Sequence, residues 1–126
     1  MTFRTLLIIK AFVCLIFGVF LLFLPGSLLG MLGASLGPAG TFAAREYGAA
    51  LFGILILTWF ARNTTDSVAR RAILLQLFVY DAIGFAVTLL SVISGVLNSL
   101  GWGIVAVYLF FTFGSGYLLI AKRTSA

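Results

Sequence analysis

Four long apolar stretches dominate this sequence and suit it to the interior of a lipid bilayer. They cover residues 6–24, 42–61, 72–94 and 100–121. Each is close to the roughly 20 residues that a helix needs to cross a hydrocarbon core about 30 Å thick. Because lipid offers no hydrogen-bond partner to open backbone groups, each stretch is expected to form a helix. The sequence therefore predicts an all-α integral membrane four-helix bundle, up-down-up-down, with residues 1–126 in one domain.

The composition supports a membrane environment rather than water. Hydrophobic residues make up 63% of the chain and charged residues only 9%, whereas a soluble domain carries about 25% charged residues. The formal net charge of +5 would suggest nucleic acid as the partner of a soluble protein. Here the basic residues lie mainly at the ends of the apolar stretches. The lipid bilayer, with its anionic headgroups, is therefore the expected partner, and nucleic acid is not.

The chain holds few residue types suited to catalysis or metal binding. It contains no His and a single Cys, Cys14. One thiol cannot form an intrachain disulfide or a zinc site. The absence of His removes the commonest general base and a common metal ligand. We therefore predict a protein that is not an enzyme and that has no metal site and no cofactor.

Positive charge falls on one side of the four predicted spans. Basic residues lie in segments 4–10, 62–71 and 122–123, which share one side of a four-span protein, whereas the opposite side has only Arg45. The excess of Lys and Arg in cytoplasmic segments is a general property of membrane proteins. The pattern predicts a multi-pass membrane protein with both termini in the cytoplasm.

The connections between the spans differ in character. Segment 25–41 is long, uncharged and rich in Gly, and we favour a short helix lying in the membrane interface. A re-entrant segment packed inside protein is the alternative. Asp66 is predicted to cap the third span. The last connection, residues 95–99, is so short that the third and fourth spans should be antiparallel neighbours.

Asp81 is the most informative polar residue within a span. It follows Arg71 by ten residues, which on a helix corresponds to roughly 15 Å and places it near the bilayer midplane. It shares a helix face with Gly84, Thr88 and Ser91, a stripe that lets another helix approach closely. The functional interpretation is an acid that binds a proton or a ligand. The structural interpretation, which we favour, is a hydrogen-bonded Asp that helps to assemble the bundle.

Arg45 and Glu46 open the second span and complete the set of ionisable residues far from the cytoplasmic ends. Glu46 shares a face with small residues, among them Gly53, which favours close helix packing. A link between Arg45 and Asp81 and an outward orientation of Arg45 towards headgroups are equally plausible. A polar core between the second, third and fourth spans is expected, whereas the first span is predicted to face lipid or a partner. The candidate buried polar site comprises Asp81, Arg45, Glu46, Thr88, Tyr108 and Thr112.

Several short motifs mark the ends of the predicted spans. They are Leu24-Pro25, residues 44–49 (AREYGA), residues 59–62 (WFAR), residues 67–72 (SVARRA), and Gly101-Trp102 before the last span. Together these motifs resemble those of bacterial four-span membrane proteins of the DoxX-like and domain-of-unknown-function type. The resemblance covers most of the chain. It implies a bacterial inner-membrane protein and no established activity, so it assigns no catalytic residue.

These observations favour a protein that acts through helix packing. The leading hypothesis is an accessory or assembly subunit of a membrane complex, or a binder of a small hydrophobic molecule, with a homo-oligomer or a larger complex as the expected assembly. The alternative is a small transporter or proton-linked permease that uses Asp81 and Arg45.

Overall fold

Five helices make up the computed structural model, which describes residues 2–125, with side chains as far as Ala121. They are α1 (Phe3–Phe23), α2 (Pro25–Met31), α3 (Pro38–Ala61), α4 (Ser67–Ile93) and α5 (Gly101–Ser125). Residues 2–125 contain no strand. All helices except α2 include a segment long and apolar enough to cross a membrane. The all-α prediction is confirmed, and segment 25–41 does contain a short helix, α2.

Local sequence signals explain where the helices begin. The Thr2 hydroxyl accepts a hydrogen bond from the Thr5 backbone N–H at 3.1 Å and caps α1. Asp66 Oδ2 accepts from the Ala69 backbone N–H at 2.8 Å and caps α4, as predicted. Both α2 and α3 begin at a proline, whose missing N–H costs nothing in the first turn of a helix.

The long helices form two antiparallel pairs. In the first pair, α1 packs on α3 where Gly18 lies close to Gly48: a Cβ added at Gly48 would lie 2.9 Å from the backbone nitrogen of Leu22. In the second pair, α4 packs on α5, which confirms the prediction for neighbours joined by a short connection. Glycine allows the backbones of α1 and α3 to approach without side chains between them.

The two ends of the bundle are held by different polar contacts. At the terminal end, which holds the start of α1 and the α3–α4 turn, Arg4 Nε donates to Asn63 Oδ1 at 2.8 Å. At the loop end, which holds α2 and the α4–α5 turn, the Asn98 backbone N–H donates to the Leu32 carbonyl at 2.7 Å. Asn98 Nδ2 also donates to the Met31 carbonyl at 3.0 Å. These bonds fix α2 against the turn between α4 and α5.

The core joins the two helix pairs mainly towards the terminal end. There, buried residues of α1, α4 and α5 form one cluster: Phe3, Leu6, Leu7, Ile73, Leu74, Leu77, Phe111 and Leu118. A second, smaller cluster joins α1 to α3 through Cys14, Leu21 and Leu51. Towards the loop end the pairs separate, and the space between them forms the cavity described below.

The prediction that the first span is the helix most exposed to lipid or a partner is wrong, although α1 has one exposed apolar face that includes Phe12, Ile16 and Phe23. In the most apolar segment of α1, 39% of residues are buried within the protein, against 11% to 22% in the other three long helices. Lipid and protein interior are equally apolar, so a featureless apolar sequence does not distinguish the two. The small residues Ala11 and Gly18, both buried, allow α1 to pack at the centre of the bundle.

Candidate functional site

A buried ion pair joins the two helix pairs. Lys10 Nζ, on α1, donates to Asp81 Oδ1, on α4, at 2.8 Å. Lys10 is 3% exposed and Asp81 is 0% exposed. Taking two charges out of a polar medium is costly, and only close contact and further polar partners offset that cost. The pair therefore needs an environment that satisfies the remaining polar atoms of both side chains.

The surroundings satisfy the ammonium better than the carboxylate. Lys10 Nζ lies over two aromatic rings, 4.7 Å from the centroid of Tyr80 and 4.4 Å from that of Phe111. Such cation–π contacts stabilise a desolvated ammonium. Asp81 Oδ2, in contrast, is buried and has no hydrogen-bond partner among the residues that the structure describes. One carboxylate oxygen is thus free to accept a hydrogen bond.

Three tyrosine hydroxyls meet beside the ion pair. The Tyr47 hydroxyl, on α3, forms a hydrogen bond with the Tyr80 hydroxyl, on α4, and another, 2.6 Å long, with the Tyr108 hydroxyl, on α5. The rings of Tyr80 and Tyr108 meet edge to face with centroids 6.1 Å apart. Tyr47 thereby connects the α1–α3 pair to the α4–α5 pair. We call these three residues the tyrosine cluster.

Glycine at position 84 makes room for the tyrosine cluster. A Cβ added at Gly84 would lie within 2.7 Å of three atoms of the Tyr108 ring. Any side chain there would displace the ring and disturb its bond to Tyr47. Gly84, one member of the small-residue stripe on α4, therefore leaves space for an aromatic side chain of α5.

A cavity of about 370 Å³ lies between the two helix pairs. Lys10, Asp81 and all three members of the tyrosine cluster line it. The rest of its wall is mainly apolar and comes from α1, α2, α3, α5 and the connections at the loop end, including Phe17, Leu21, Leu28, Leu32, Leu51 and Ile104. Its volume falls within the range of about 300–1,000 Å³ typical of small-molecule sites.

The chemistry available in this cavity is recognition by hydrogen bonds. It offers an unpartnered carboxylate oxygen, an ammonium, and three phenol hydroxyls against an apolar wall. The described residues contain no group of His, Cys, Asp or Glu side chains that could hold a metal ion. The Cys14 thiol also lines the cavity, but an unactivated thiol in apolar surroundings is inert.

The structure brings together some of the candidate polar residues and separates others. Asp81, Tyr108 and Thr88 line the cavity. The Thr112 hydroxyl instead donates to the Tyr108 backbone carbonyl at 2.8 Å. Such a bond satisfies a hydroxyl within its own helix.

Arg45 and Glu46 lie away from the cavity, and both are exposed on α3. The partner of Asp81 is therefore Lys10 and not Arg45. On α3, the face that carries Glu46 points away from α1, whereas Gly48 and Leu51 point inward. The structure thus supports an outward orientation of Arg45.

Sequence reasoning missed Lys10, Tyr47 and Tyr80 as parts of the site. Lys10 was grouped with the basic residues at the cytoplasmic end of the first span. It lies, however, about 10 Å along α1 from Phe3. That depth was a usable signal, since a lysine so far into a span must reach either the interface or a buried acid. For Tyr47 and Tyr80 the sequence offers no comparable signal, because tyrosine is common both in membrane interfaces and in cores.

The protein is all-helical, with four helices long and apolar enough to cross a membrane and a cavity of ligand size between them. Comparisons with known protein families, with curated proteins and with solved structures found no significant match.

Proposed function

We propose that this protein binds a small hydrophobic molecule in the cavity between its helix pairs and does not alter it chemically. The observation that carries the proposal is the cavity of about 370 Å³, which is lined mainly by apolar side chains and ends at a buried ion pair. A molecule taken from the bilayer would keep its apolar part in apolar surroundings. Its polar end would meet the few polar groups of the wall.

We further propose that the bundle lies in a bacterial inner membrane with both termini in the cytoplasm. The bias of Lys and Arg towards segments 4–10, 62–71 and 122–123 supports this orientation. In that orientation the terminal end faces the cytoplasm. The ligand-binding cavity then lies in the outer half of the membrane, beneath α2.

Blocking the cavity tests the binding proposal. Ala44 and Ala49 both lie on α3, but only Ala44 lines the cavity, whereas Ala49 is exposed on the opposite face. Ala44→Phe should fill part of the cavity and Ala49→Phe should not. Native mass spectrometry of protein released from membranes would then show a bound small molecule or lipid on the wild type and on Ala49→Phe. Ala44→Phe should lose it.

Two results would contradict this proposal. The first is a wild-type protein that leaves native membranes without any bound molecule. The second is equal occupancy in the two phenylalanine variants, both folded by circular dichroism, since occupancy would then be independent of the cavity.

A second proposed function is assembly with another copy of this chain through α3. The observation that favours it is the pair of exposed charges, Arg45 and Glu46, on a helix that is long and apolar enough to span a membrane. Exposed charges within a span cost about 2.5–3.5 kcal/mol each at the helix centre, which favours a protein partner. Adjacent charges of opposite sign are self-complementary, because a two-fold axis brings each beside the opposite charge of the other copy.

The surface around these charges is shaped for close packing. Ala49, Ala50 and Gly53 are all exposed on the same side of α3 as Glu46. A Cβ at Gly53 would have no heavy atom within 4 Å, so the face is open. Small residues of this kind let two membrane helices approach closely.

Disulfide cross-linking tests the association. Cys14→Ser removes the only thiol, and Gly53→Cys then places one on the α3 face. Val87→Cys, on the exposed surface of α4, is the matched control. Oxidation in membranes should yield a covalent dimer from Gly53→Cys, and the additional change Glu46→Gln should reduce the yield. Equal cross-linking at both positions would indicate random collision, and its absence at Gly53→Cys would exclude this interface.

A further inference from the structure

We infer that the ligand carries an uncharged polar group that both donates and accepts a hydrogen bond, such as an alcohol, a phenol or a carboxamide. This inference rests on the proposed binding function and specifies the chemical class of the ligand. It follows from the polar atoms that the cavity leaves without partners.

Asp81 supplies the acceptor that the ligand must match. Its side chain is 0% exposed, its Oδ1 is occupied by Lys10, and its Oδ2 has no partner among the described residues. An unsatisfied buried acceptor destabilises a protein, and a charged one does so more strongly. Because Asp81 lines the cavity, an O–H or N–H group of a bound molecule would satisfy this oxygen.

The tyrosine cluster supplies a donor. Three hydroxyls carry three hydrogens, and the two bonds made by Tyr47 use two of them. Whichever way the bonds are directed, one hydroxyl hydrogen is left over, because each phenol has a single O–H to donate. A bound molecule with an acceptor oxygen would use it.

Lys10 Nζ lies next to both the carboxylate and the tyrosine cluster. It is 2.8 Å from Asp81 Oδ1 and 4.7 Å from the centroid of the Tyr80 ring. Asp81 and the three tyrosines line one cavity. The inference requires that a single hydroxyl or amide donate to Asp81 Oδ2 and accept from a tyrosine hydroxyl.

Charge balance disfavours ionised ligands. Lys10 and Asp81 neutralise each other, so no counter-charge is left for an ionised ligand. A carboxylate could accept from the Lys10 ammonium, but it would add one uncompensated negative charge and would be repelled by Asp81. An ammonium would satisfy Asp81 Oδ2 but would leave one positive charge uncompensated inside the bundle.

A matched series of decyl compounds tests the inference. Decanol, decyl methyl ether, decane and decylamine share one chain and differ in the polar end. Their dissociation constants are measured by calorimetry on the full-length protein in lipid nanodiscs, with empty nanodiscs subtracted. Decanol should bind about tenfold more tightly than the ether, since leaving a buried acceptor unpaired costs on the order of 1–3 kcal/mol. Decane and decylamine should bind more weakly than decanol.

Two variants test whether Asp81 is the residue that makes decanol bind more tightly than the ether. Asp81→Asn exchanges the free acceptor for an amide donor. Ether and alcohol both accept from an amide, so their dissociation constants should become equal within about twofold. Tyr117→Phe removes a hydroxyl at an exposed position of α5 outside the cavity and should leave the tenfold preference unchanged. Where Asp81→Asn fails to fold, the double variant Lys10→Gln/Asp81→Asn removes both charges together and carries the same expectation.

The possible results distinguish failure of the proposed binding function from failure of the inference about the polar group of the ligand. If none of the four compounds binds, the proposed binding function fails. If decane, the ether and decanol bind equally, the cavity binds apolar molecules and the polar end does not affect affinity. In that case the binding function stands and only this inference fails. Tightest binding of decylamine, or an unchanged preference for decanol over the ether in folded Asp81→Asn, would also overturn the assignment to Asp81.

Discussion

Lys10 and Asp81 form a 2.8 Å ion pair between α1 and α4, although they lie 71 residues apart in the chain. The pair joins the two helix pairs and adds a charged contact to the apolar cluster shared by α1, α4 and α5. The pair also determines which acceptor the cavity offers, because Lys10 occupies Asp81 Oδ1 and leaves Oδ2 without a partner among the described residues. One contact thus serves both assembly and recognition.

Removing only one member of this pair should destabilise the protein more than removing both. Lys10→Met leaves the Asp81 carboxylate buried without its counter-charge, and such a change costs about 3–5 kcal/mol. The double variant Lys10→Met/Asp81→Leu leaves no buried charge and should recover much of that loss. Reversible unfolding in mixed micelles measures both. Arg71→Met, at an exposed position, is the control and should change stability by less than about 0.5 kcal/mol. A double variant that is less stable than Lys10→Met would contradict the expectation.

Tyr47→Phe should weaken the connection between the helix pairs. It removes both hydrogen bonds of the Tyr47 hydroxyl, and hydrogen bonds between membrane helices contribute about 0.6 kcal/mol each on average. We therefore expect a loss of about 1 kcal/mol in the same unfolding measurement. Tyr117→Phe alters an exposed tyrosine of α5 and should have no measurable effect. Equal values for the two variants would mean that the tyrosine cluster contributes nothing to stability.

Gly84→Ala should destabilise the α4–α5 pair, whereas Gly53→Ala should not affect the fold. A methyl group at position 84 would overlap the Tyr108 ring, while at position 53 it would meet no atom within 4 Å. Overpacking of this kind costs about 1–3 kcal/mol, and alanine in a helix interior is otherwise favoured over glycine. Thermal unfolding of the two variants compares them directly. A stable Gly84→Ala protein would show that Tyr108 has room to move.

The predicted orientation has a direct test in bacterial cells. Green fluorescent protein fused after Ala126 should fluoresce, because it folds in the cytoplasm, whereas alkaline phosphatase at the same position should be inactive. Alkaline phosphatase inserted within residues 95–99 should be active, because that connection is predicted to lie outside. The reverse pattern would contradict the orientation drawn from the charge bias.

Local patterns in the sequence were sufficient to predict the helices. The four apolar stretches predicted four long helices in the order observed. Asp66 was predicted to cap α4, and it does. The short segment 95–99 predicted that α4 and α5 are antiparallel neighbours, as observed. These features depend on residues close together in the chain. Backbone hydrogen bonds and apolar length decide them without reference to distant parts of the protein.

The partners of the buried polar groups were not predictable in the same way. Asp81 was identified as a buried acid, but its pairing with Lys10 depends on α1 lying inside the bundle, where the sequence suggested lipid. Arg45 was a plausible partner by depth along the membrane, yet it lies on the outer face of α3. Depth along a helix follows from residue number, whereas the rotation of each helix depends on how all the helices pack.

The sequence by itself predicted a membrane environment, determined the number of long helices and identified Asp81 as a buried acid that requires a partner. Only the tertiary structure decided that Lys10 neutralises Asp81, that Tyr47, Tyr80 and Tyr108 meet, and that a cavity remains between the two helix pairs. The physical reason is that hydrophobicity cannot distinguish a lipid-facing surface from a protein-facing one. Small residues at Gly18, Gly48 and Gly84 set which helices approach closely, and those approaches fix the site.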